Sequence, residues 1–379
     1  MGTAALGMFA LDSSLARRAA SKLRGILRRA AEGEDGAGRE EAELSPEGLE
    51  VSVETALNSR CTSDRDDDPK VFHWGMFDKG RTLSQGQMER IQSFIQVPRF
   101  TDGALTVKRE PKRFVFLTDG RATGSRADWM AVESGMQQQA LELVCAALGV
   151  GTVFSVLGAA KASYAGEGAA QIGIQVDAMK PSYGGRYWSE EAPAGPSPWK
   201  EGDLPAPSRR GDNALLTVLQ GLQAKNGEGR KAARGDLGQL LWAARGRTPH
   251  FYKSMPWGLT IPTNKGEQTN TTLSVVADGR LSRYVNWQDK RPTHSLEEAG
   301  SVEAGALKAL SGRFGEGRTY IVLGRNAATS VALWEIGYQL VNLMLQASAL
   351  GLTYEALLLE DGGLMNGMGV KDPAALFVL

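Results

Sequence analysis

The residue types that most often carry catalysis are scarce in this sequence. The three histidines and two cysteines are His73, His250, His294, Cys61 and Cys145. No HExxH, CxxC, GxSxG, GxxxxGKS or GxxxxGKT motif occurs, so the signatures of zinc proteases, thioredoxins, α/β-hydrolases and P-loop proteins are absent. Gly149-Val150-Gly151 lacks the third glycine of a dinucleotide-binding motif and follows a helical pattern rather than a strand. No catalytic residue is assigned, and no metal site is predicted.

Two isolated polar features have a chemical and a structural interpretation. The acidic run Asp64–Asp68 can hold a hard cation, but it has no flanking ligand pattern, so we interpret it as a solvated loop. His250 follows Pro249 and can donate a proton near neutral pH, whereas a lone histidine is more often structural. We favour the structural interpretation for both.

The charge and hydropathy of the chain disfavour two classes of partner, each of which would need a local patch. The 379 residues include 43 basic and 43 acidic side chains, so the protein has no overall attraction to nucleic acid or to anionic lipid. No apolar run approaches the roughly 20 residues that span a bilayer. We therefore expect neither nucleic-acid binding nor stable membrane insertion. Two widely separated cysteines fit a reducing compartment, and the predicted location is the cytoplasm.

Two segments of biased composition lie outside the repeated part of the chain. Residues 12–31 place basic side chains among leucines at the spacing of a basic amphipathic helix, and an acidic stretch follows. A transit peptide or a membrane-surface helix is possible, but we favour a surface or dimer-packing helix with an acidic linker, residues 1–45. Residues 181–211 hold six of the fifteen prolines and form an extended proline-rich strap.

A short apolar strand followed by a long helix occurs twice. The predicted strand 113–117 is followed by the predicted helix 129–148, and the predicted strand 319–323 is followed by the predicted helix 331–350. A shift of 202 positions superposes the two helices without a gap. The matched residues are Glu133 and Glu335, Gly135 and Gly337, Gln137 and Gln339, and Ala147–Gly149 and Ala349–Gly351. This register indicates an internal duplication.

Both helices are apolar on most of their circumference, which is typical of buried helices. The simplest partner for each is its copy, so we expect a covalent pseudo-dimer with an approximate twofold axis. The predicted units are 46–180, a degenerate first copy, and 212–379, the second copy. Glu133 and Glu335 need partners to stay charged inside such helices, and we expect a structural pairing across the twofold rather than general-base catalysis.

A series of motifs in the second unit resembles the flavin-dependent nitroreductase superfamily. It begins with Asp236–Gly246, continues with the strand Leu273–Val276 and the segment Asp278–Tyr284, and closes with the helix Glu335–Leu352. The most similar branch is that of the azoline (thiazole/oxazole-forming) dehydrogenases, in which an LLWAAxG helix precedes a Pro-Ser-Ala loop, a strand and a hairpin. In the first unit, Asp128–Gly135 resembles the closing helix of the family less closely.

The resemblance implies a nitroreductase-like α+β fold, an intertwined dimer and FMN at the dimer interface. By similarity, the loop from Gly149 to Gly158 approaches the flavin ring with its backbone amides. Its candidate contacts are Gly149, Gly151, Thr152, Leu157 and Gly158. A second loop, Pro262-Thr263-Asn264, stands where the family has its Pro-Ser-Ala loop and would offer a hydroxyl and an amide to the ring or ribityl chain.

The expected phosphate ligands differ from those of the family. Members usually open with an Arg-Arg-Ser-x-Arg stretch that binds the FMN phosphate, but residues 219–226 stand there, and only Lys225 supplies a charge. A lysine is a point charge rather than a bidentate fork. Arg209 and Arg210, just before the second unit, are candidate replacements. At most one FMN site is therefore expected.

Two functions of different class follow from these features. The first is an FMN-dependent oxidoreductase for two-electron oxidation or reduction of a small-molecule or peptide substrate, such as dehydrogenation of a peptide-derived natural product. The alternative is a flavin-free binding or scaffold subunit of a maturation complex, which the altered phosphate ligands favour. A homodimer and a partner protein of a biosynthetic complex are both compatible with the sequence.

Overall fold

A computed structural model provides the coordinates of the protein. It describes residues 40–44, 46–60, 62–63, 78, 80–101, 105–110, 112–118, 122–156, 163–164, 168–178, 204–249, 257–262, 269–360 and 367–379. The predicted basic helix, the acidic run Asp64–Asp68 and residues 181–203 of the strap lie outside these ranges. Residues 204–211 of the strap contain no helix or strand, as their prolines predict.

The described ranges contain seven α-helices and seventeen strands. The helices are α1 (Val53–Ser59), α2 (Gln85–Phe94), α3 (Ser125–Ala147), α4 (Leu215–Gln220), α5 (Arg234–Arg245), α6 (Ala304–Phe314) and α7 (Ser330–Ala349). The first eight strands are β1 (Glu40–Glu41), β2 (Thr62–Ser63), β3 (Arg81–Thr82), β4 (Leu105–Glu110), β5 (Arg113–Thr118), β6 (Val150–Val156), β7 (Ser163–Tyr164) and β8 (Gly168–Ala178). The others are β9 (Lys225–Asn226), β10 (Arg247–Pro249), β11 (Trp257–Leu259), β12 (Thr271–Ala277), β13 (Arg280–Gln288), β14 (Arg291–Ser301), β15 (Tyr320–Arg325), β16 (Tyr354–Leu358) and β17 (Pro373–Val378).

Two larger sheets share one strand order. The first runs β2-β6-β8-β5-β4, with β7 beside β8, and the second runs β14-β13-β12-β15-β17-β16-β9. The order β4-β5-β8-β6 in the first sheet therefore matches β12-β15-β17-β16 in the second, and all of these pairings are antiparallel. In each sheet the long helix connects the strands in equivalent places, α3 between β5 and β6 and α7 between β15 and β16. The predicted α+β class is confirmed.

The two long helices cross at a pair of glycines. A Cβ on Gly135 would lie 2.3 Å from the carbonyl oxygen of Trp334, and one on Gly337 would lie 2.1 Å from that of Val132. Trp334 stands 202 positions after Val132, the same shift that relates the glycines, so both contacts obey one approximate twofold relation. Only glycine permits such close backbone approach. The two long helices therefore pack against each other, while their origin as two copies of one unit stays a prediction.

Both helices also end in the same way. Gly149 and Gly351 follow α3 and α7 with φ angles of +70° and +64°, in the left-handed region that glycine adopts without steric cost. Their amides donate to Ala146 and Ser348, one turn back. The chain then enters β6 and β16. The Ala-Leu-Gly repeat in the sequence therefore corresponds to one helix-ending turn, used twice.

The core lies mainly around the crossed helices. One large apolar cluster joins α3 and α7 to α1, α4, α5 and one face of each sheet. A smaller cluster fills the space between the other face of the second sheet and α6. No helix in the described ranges is long and apolar enough to cross a bilayer. The same ranges contain no group of three metal-ligating side chains that could hold an ion.

Candidate functional site

The predicted glycine loop begins in regular structure. Gly149 forms the helix-ending turn, and Gly151 and Thr152 are buried in β6, opposite Asp177 and Val176 of β8. Leu157 and Gly158 lie outside the described residues. Within the described part, Gly149, Gly151 and Thr152 are therefore positioned by helix and sheet geometry, and whether this loop contacts a flavin stays a prediction.

The second predicted loop leaves a short hairpin. Strands β10 and β11 pair, and the chain continues through Thr260 to Pro262, which is buried. Thr263 and Asn264 lie outside the described residues. The carbonyl oxygen of Thr260 accepts hydrogen bonds from Gln139 of α3 at 2.9 Å and from Asn342 of α7 at 3.4 Å. The start of this loop is thus fixed against both central helices.

Arg60 links this loop to the first sheet. Its guanidinium donates to the carbonyl oxygens of Leu259 at 2.9 Å and Thr260 at 3.1 Å, and it forms an ion pair with Glu142 of α3 at 3.0 Å. Two residues later, Thr62 of β2 pairs with Thr152 of β6. The structure therefore brings the start of the Pro262 loop and the strand that leads to Gly158 to the same side of the molecule.

A second buried arginine fixes the far end of the Pro262 loop. Arg245, at the end of α5, donates to the Thr269 hydroxyl at 2.9 Å, the Thr271 carbonyl at 2.8 Å and the Tyr284 carbonyl at 3.3 Å. Burial lowers the pKa of Arg245 to about 10, while the nearby Tyr284 and Glu335 act in the opposite direction. The guanidinium therefore stays charged at neutral pH and holds the loop end through its three acceptors.

The two helix glutamates bind loops of their own halves. Glu335 accepts hydrogen bonds from the backbone amide and the side-chain amide of Asn270, at 2.6 and 2.7 Å. Glu133 accepts from the amide and hydroxyl of Thr101, at 2.6 and 2.5 Å, and from the amide of Phe100. Our expectation of a pairing across the twofold was wrong. Each carboxylate instead accepts hydrogen bonds from the segment that precedes a strand of the sheet in its own half, β4 for Glu133 and β12 for Glu335.

The predicted phosphate cations occupy two separate places. Lys225 lies on the edge strand β9, and its ammonium group is 2.7 Å from the Glu355 carboxylate. Arg209 and Arg210 lie beside α1, where the Arg209 carbonyl accepts from the Thr55 hydroxyl at 3.5 Å. Burial lowers the pKa of the Arg209 guanidinium. The described contacts do not gather these three cations into one anion site.

A cavity of about 240 Å³ lies between the halves, at the starts of α3, α7 and β17 and the ends of β15 and β16. By the twofold relation of the helices, the end of β16 corresponds to the end of β6. The cavity thus lies at the end of β16, the strand that takes the place of β6 in the matched strand order. The Arg325 guanidinium in its wall is bound to Asp128 and Asp372 at 2.8 Å.

FMN requires a site for a dianionic phosphate as well as for its ring. The cavity carries two carboxylates against one guanidinium, a balance that repels phosphate. Its volume is also below the roughly 300–1,000 Å³ of sites for drug-sized ligands. Lys225 is already neutralised by Glu355. The described residues therefore do not fit the FMN phosphate. The two loops that we predict to contact the flavin ring, the loop after β6 and the Pro262 loop, continue into residues outside the described ranges.

Sequence reasoning missed two residues that organise this region, Arg60 and Arg325. Arg245 gave a usable signal, because it is the one charge in an otherwise apolar helix end, Leu240–Gly246. Arg60 follows the end of α1 and Arg325 ends β15. Their hydrogen-bond partners are 82 to 200 and 47 to 197 positions away along the chain, so no local pattern marks these two arginines. His294 is buried 2.8 Å from the Tyr284 hydroxyl, consistent with a structural role.

Comparison with known proteins gives partial structural overlaps. No protein-family profile and no curated protein matches the sequence. A solved structure from Ralstonia eutropha JMP134, provisionally named a nitroreductase, aligns at 20% identity and a TM-score of 0.35, over 46% of this chain and 86% of that one. Another solved structure, from Anabaena variabilis ATCC 29413 and also provisionally named a nitroreductase, aligns at 10% identity and a TM-score of 0.47. This alignment covers 70% of this chain and 68% of that one. TM-scores below 0.5 describe overlapping elements rather than a shared overall fold.

Proposed function

We propose that this chain is a nitroreductase-like oxidoreductase that carries out a two-electron oxidation or reduction of an organic substrate, with FMN as its cofactor. The observation that carries the proposal is the matched strand order of the two sheets around helices crossed at Gly135 and Gly337. An internal duplication explains this arrangement, because two copies would then form a pseudo-dimer of the kind that the sequence resemblance implies.

The proposed site lies between the loop after β6 and the Pro262 loop. Its ring contacts stay those predicted from sequence, including Gly158, Thr263 and Asn264. The described residues contribute rigidity: Arg60 fixes the start of the Pro262 loop, and Arg245 and Glu335 fix its end. Rigid support of this kind is what a binding loop needs, because small displacements of a site cost affinity.

A second candidate function is a flavin-free binding subunit. The observation that favours it is the lack of fit between the described cations and a phosphate, above all the Lys225–Glu355 ion pair and the two carboxylates of the cavity. Such a subunit would use the same loops to bind a peptide or a partner protein of a biosynthetic complex. Both candidates are proposed to act in the cytoplasm.

The flavin content of the purified full-length chain distinguishes the two candidates. We expect a visible flavin spectrum, and heat release should yield a compound that co-elutes with FMN. Gly158→Leu should lower the FMN content several-fold because a side chain would occupy the close approach to the ring. Gly227→Leu is the matched control, since a Cβ there meets no atom within 4 Å.

Two results would overturn parts of this proposal. If the chain holds no flavin even after incubation with excess FMN, the binding-subunit function replaces the oxidoreductase. If FMN is present and Gly158→Leu retains all of it, the cofactor is right but our placement is wrong. In the first case binding to substrate-like peptides becomes the next measurement. The azoline-dehydrogenase type of reaction is tested only after FMN is found, with heterocycle-containing peptides.

A further inference from the structure

The cavity between the halves has an acidic rim. Asp128 lies in the first turn of α3, and Asp372 lies just before β17. Both carboxylates bind Arg325, the first through one oxygen and the second through both. Their side chains are 44% and 41% exposed, whereas the Arg325 side chain is only 17% exposed. The three charged residues that line the cavity therefore sum to one negative charge, and the more exposed of them are the carboxylates, not the guanidinium.

Asp128 keeps one oxygen available. Its Oδ2 accepts from Arg325 at 2.8 Å, and no described residue donates to its Oδ1. Both oxygens of Asp372 are used by Arg325, at 2.8 Å each. The bidentate pair with Asp372 fixes the guanidinium, so a ligand need not compete for Arg325. Asp128 is the group that can accept a further donor.

The walls below this rim are apolar and fixed. Val132 of α3, Leu333 of α7 and Leu359 line the cavity together with Trp129. The Trp129 indole N–H donates to the Leu359 carbonyl at 3.2 Å, which holds the ring in place across the two halves. An aromatic side chain and aliphatic walls favour an apolar body, and indole also attracts cations.

We propose that this cavity binds a small organic cation, with its ammonium group at Asp128 and its apolar body between Trp129 and Leu333. The volume of about 240 Å³ suits a fragment-sized amine or a single side chain rather than a whole cofactor. A bound monocation cancels the net charge of the rim. This site is separate from the proposed flavin site, because its walls are the first turns of α3 and α7, the ends of β15 and β16 and the start of β17, and it contains neither the loop after β6 nor the Pro262 loop.

Calorimetric titration of the full-length protein with benzylamine tests the proposal. We expect one site per chain, and benzyl alcohol, the neutral analogue, should bind about tenfold more weakly or not at all, with benzoate not binding. Asp128→Asn keeps the shape but removes the charge, so benzylamine affinity should fall about tenfold. Asp212→Asn removes an exposed carboxylate outside the cavity and should leave it unchanged.

A second variant separates cavity binding from surface charge. Ala374→Leu narrows the β17 wall without changing any charge, and it should also weaken benzylamine binding. Nα-acetyl-lysine amide, whose side-chain ammonium group is free, is the peptide probe. Tighter binding of this probe than of benzylamine would indicate that the cavity takes a lysine side chain, and weaker binding would indicate a small free amine. Equal binding of benzylamine and benzyl alcohol, no binding at all, or unchanged affinity in both Asp128→Asn and Ala374→Leu would overturn the proposal. None of these results bears on the flavin content, so this proposal and the proposed function can fail separately.

Discussion

The crossing of α3 and α7 predicts that one methyl group, added at the crossing point, lowers the stability of the protein strongly. In Gly337→Ala the new Cβ would lie 2.1 Å from the Val132 carbonyl oxygen and 2.8 Å from the Met136 backbone nitrogen. Ordinary contacts between carbon and other heavy atoms are about 3.5 Å, so the shortfall is about 1.4 Å. All of these neighbours are backbone atoms, which cannot rotate away. The two helices must therefore separate.

The magnitude follows from two opposing contributions. Overpacking a well-filled core costs about 1–3 kcal/mol, and a clash between helix backbones belongs at or above the upper end. Alanine is favoured over glycine in a helix interior by about 1 kcal/mol. We therefore expect Gly337→Ala to lower the free energy of unfolding by about 2 kcal/mol or more. Gly135→Ala should behave alike, since its Cβ would lie 2.3 Å from the Trp334 carbonyl oxygen.

Urea unfolding followed by circular dichroism measures this effect, and α6 offers a matched control. Gly312 also lies inside a helix, and a Cβ there meets no atom within 4 Å. Gly312→Ala should leave stability unchanged or raise it by up to about 1 kcal/mol. The three variants share the same chemical change and the same secondary structure. Their difference therefore reports the helix contact alone.

A double variant sharpens the test. Once the helices separate to accept one Cβ, most of the space for the second already exists, so Gly135→Ala with Gly337→Ala should cost clearly less than the sum of the single variants. If Gly337→Ala is as stable as Gly312→Ala, the helices do not cross at these glycines. The twofold arrangement would then be wrong.

Two further predictions concern buried and helix-terminal charges. Arg60→Met should lower the free energy of unfolding by about 3–5 kcal/mol, because Glu142 loses its ion-pair partner inside the protein, and adding Glu142→Gln should restore part of it in the same urea assay. A bidentate hydrogen bond from Arg230 holds the pKa of Asp236 below its usual 3.8. Asp236→Asn should therefore destabilise the protein at neutral pH, with the difference from wild type disappearing as the pH falls through that lowered pKa; a difference independent of pH would contradict this.

Much of the local structure was readable from the sequence. The strands at 113–117 and 319–323 and the two long helices appear at or within a few residues of their predicted bounds, because hydrophobic periodicity reports burial directly. The matched glycines predicted the helix pair. The site was less accessible. The predicted contacts Leu157, Gly158, Thr263 and Asn264 lie outside the described residues, and Lys225 proved to be paired with Glu355.

The sequence by itself determined which segments form helices, where they end and that two of them match, since these properties depend on neighbours a few positions apart. Only the tertiary structure decided where Glu133 and Glu335 find their donors, and that Arg60 joins the halves through Leu259, Thr260 and Glu142. Buried charges take whichever donors and acceptors the packing brings within about 3 Å. Those partners come from segments far apart in the chain, and no local pattern records them.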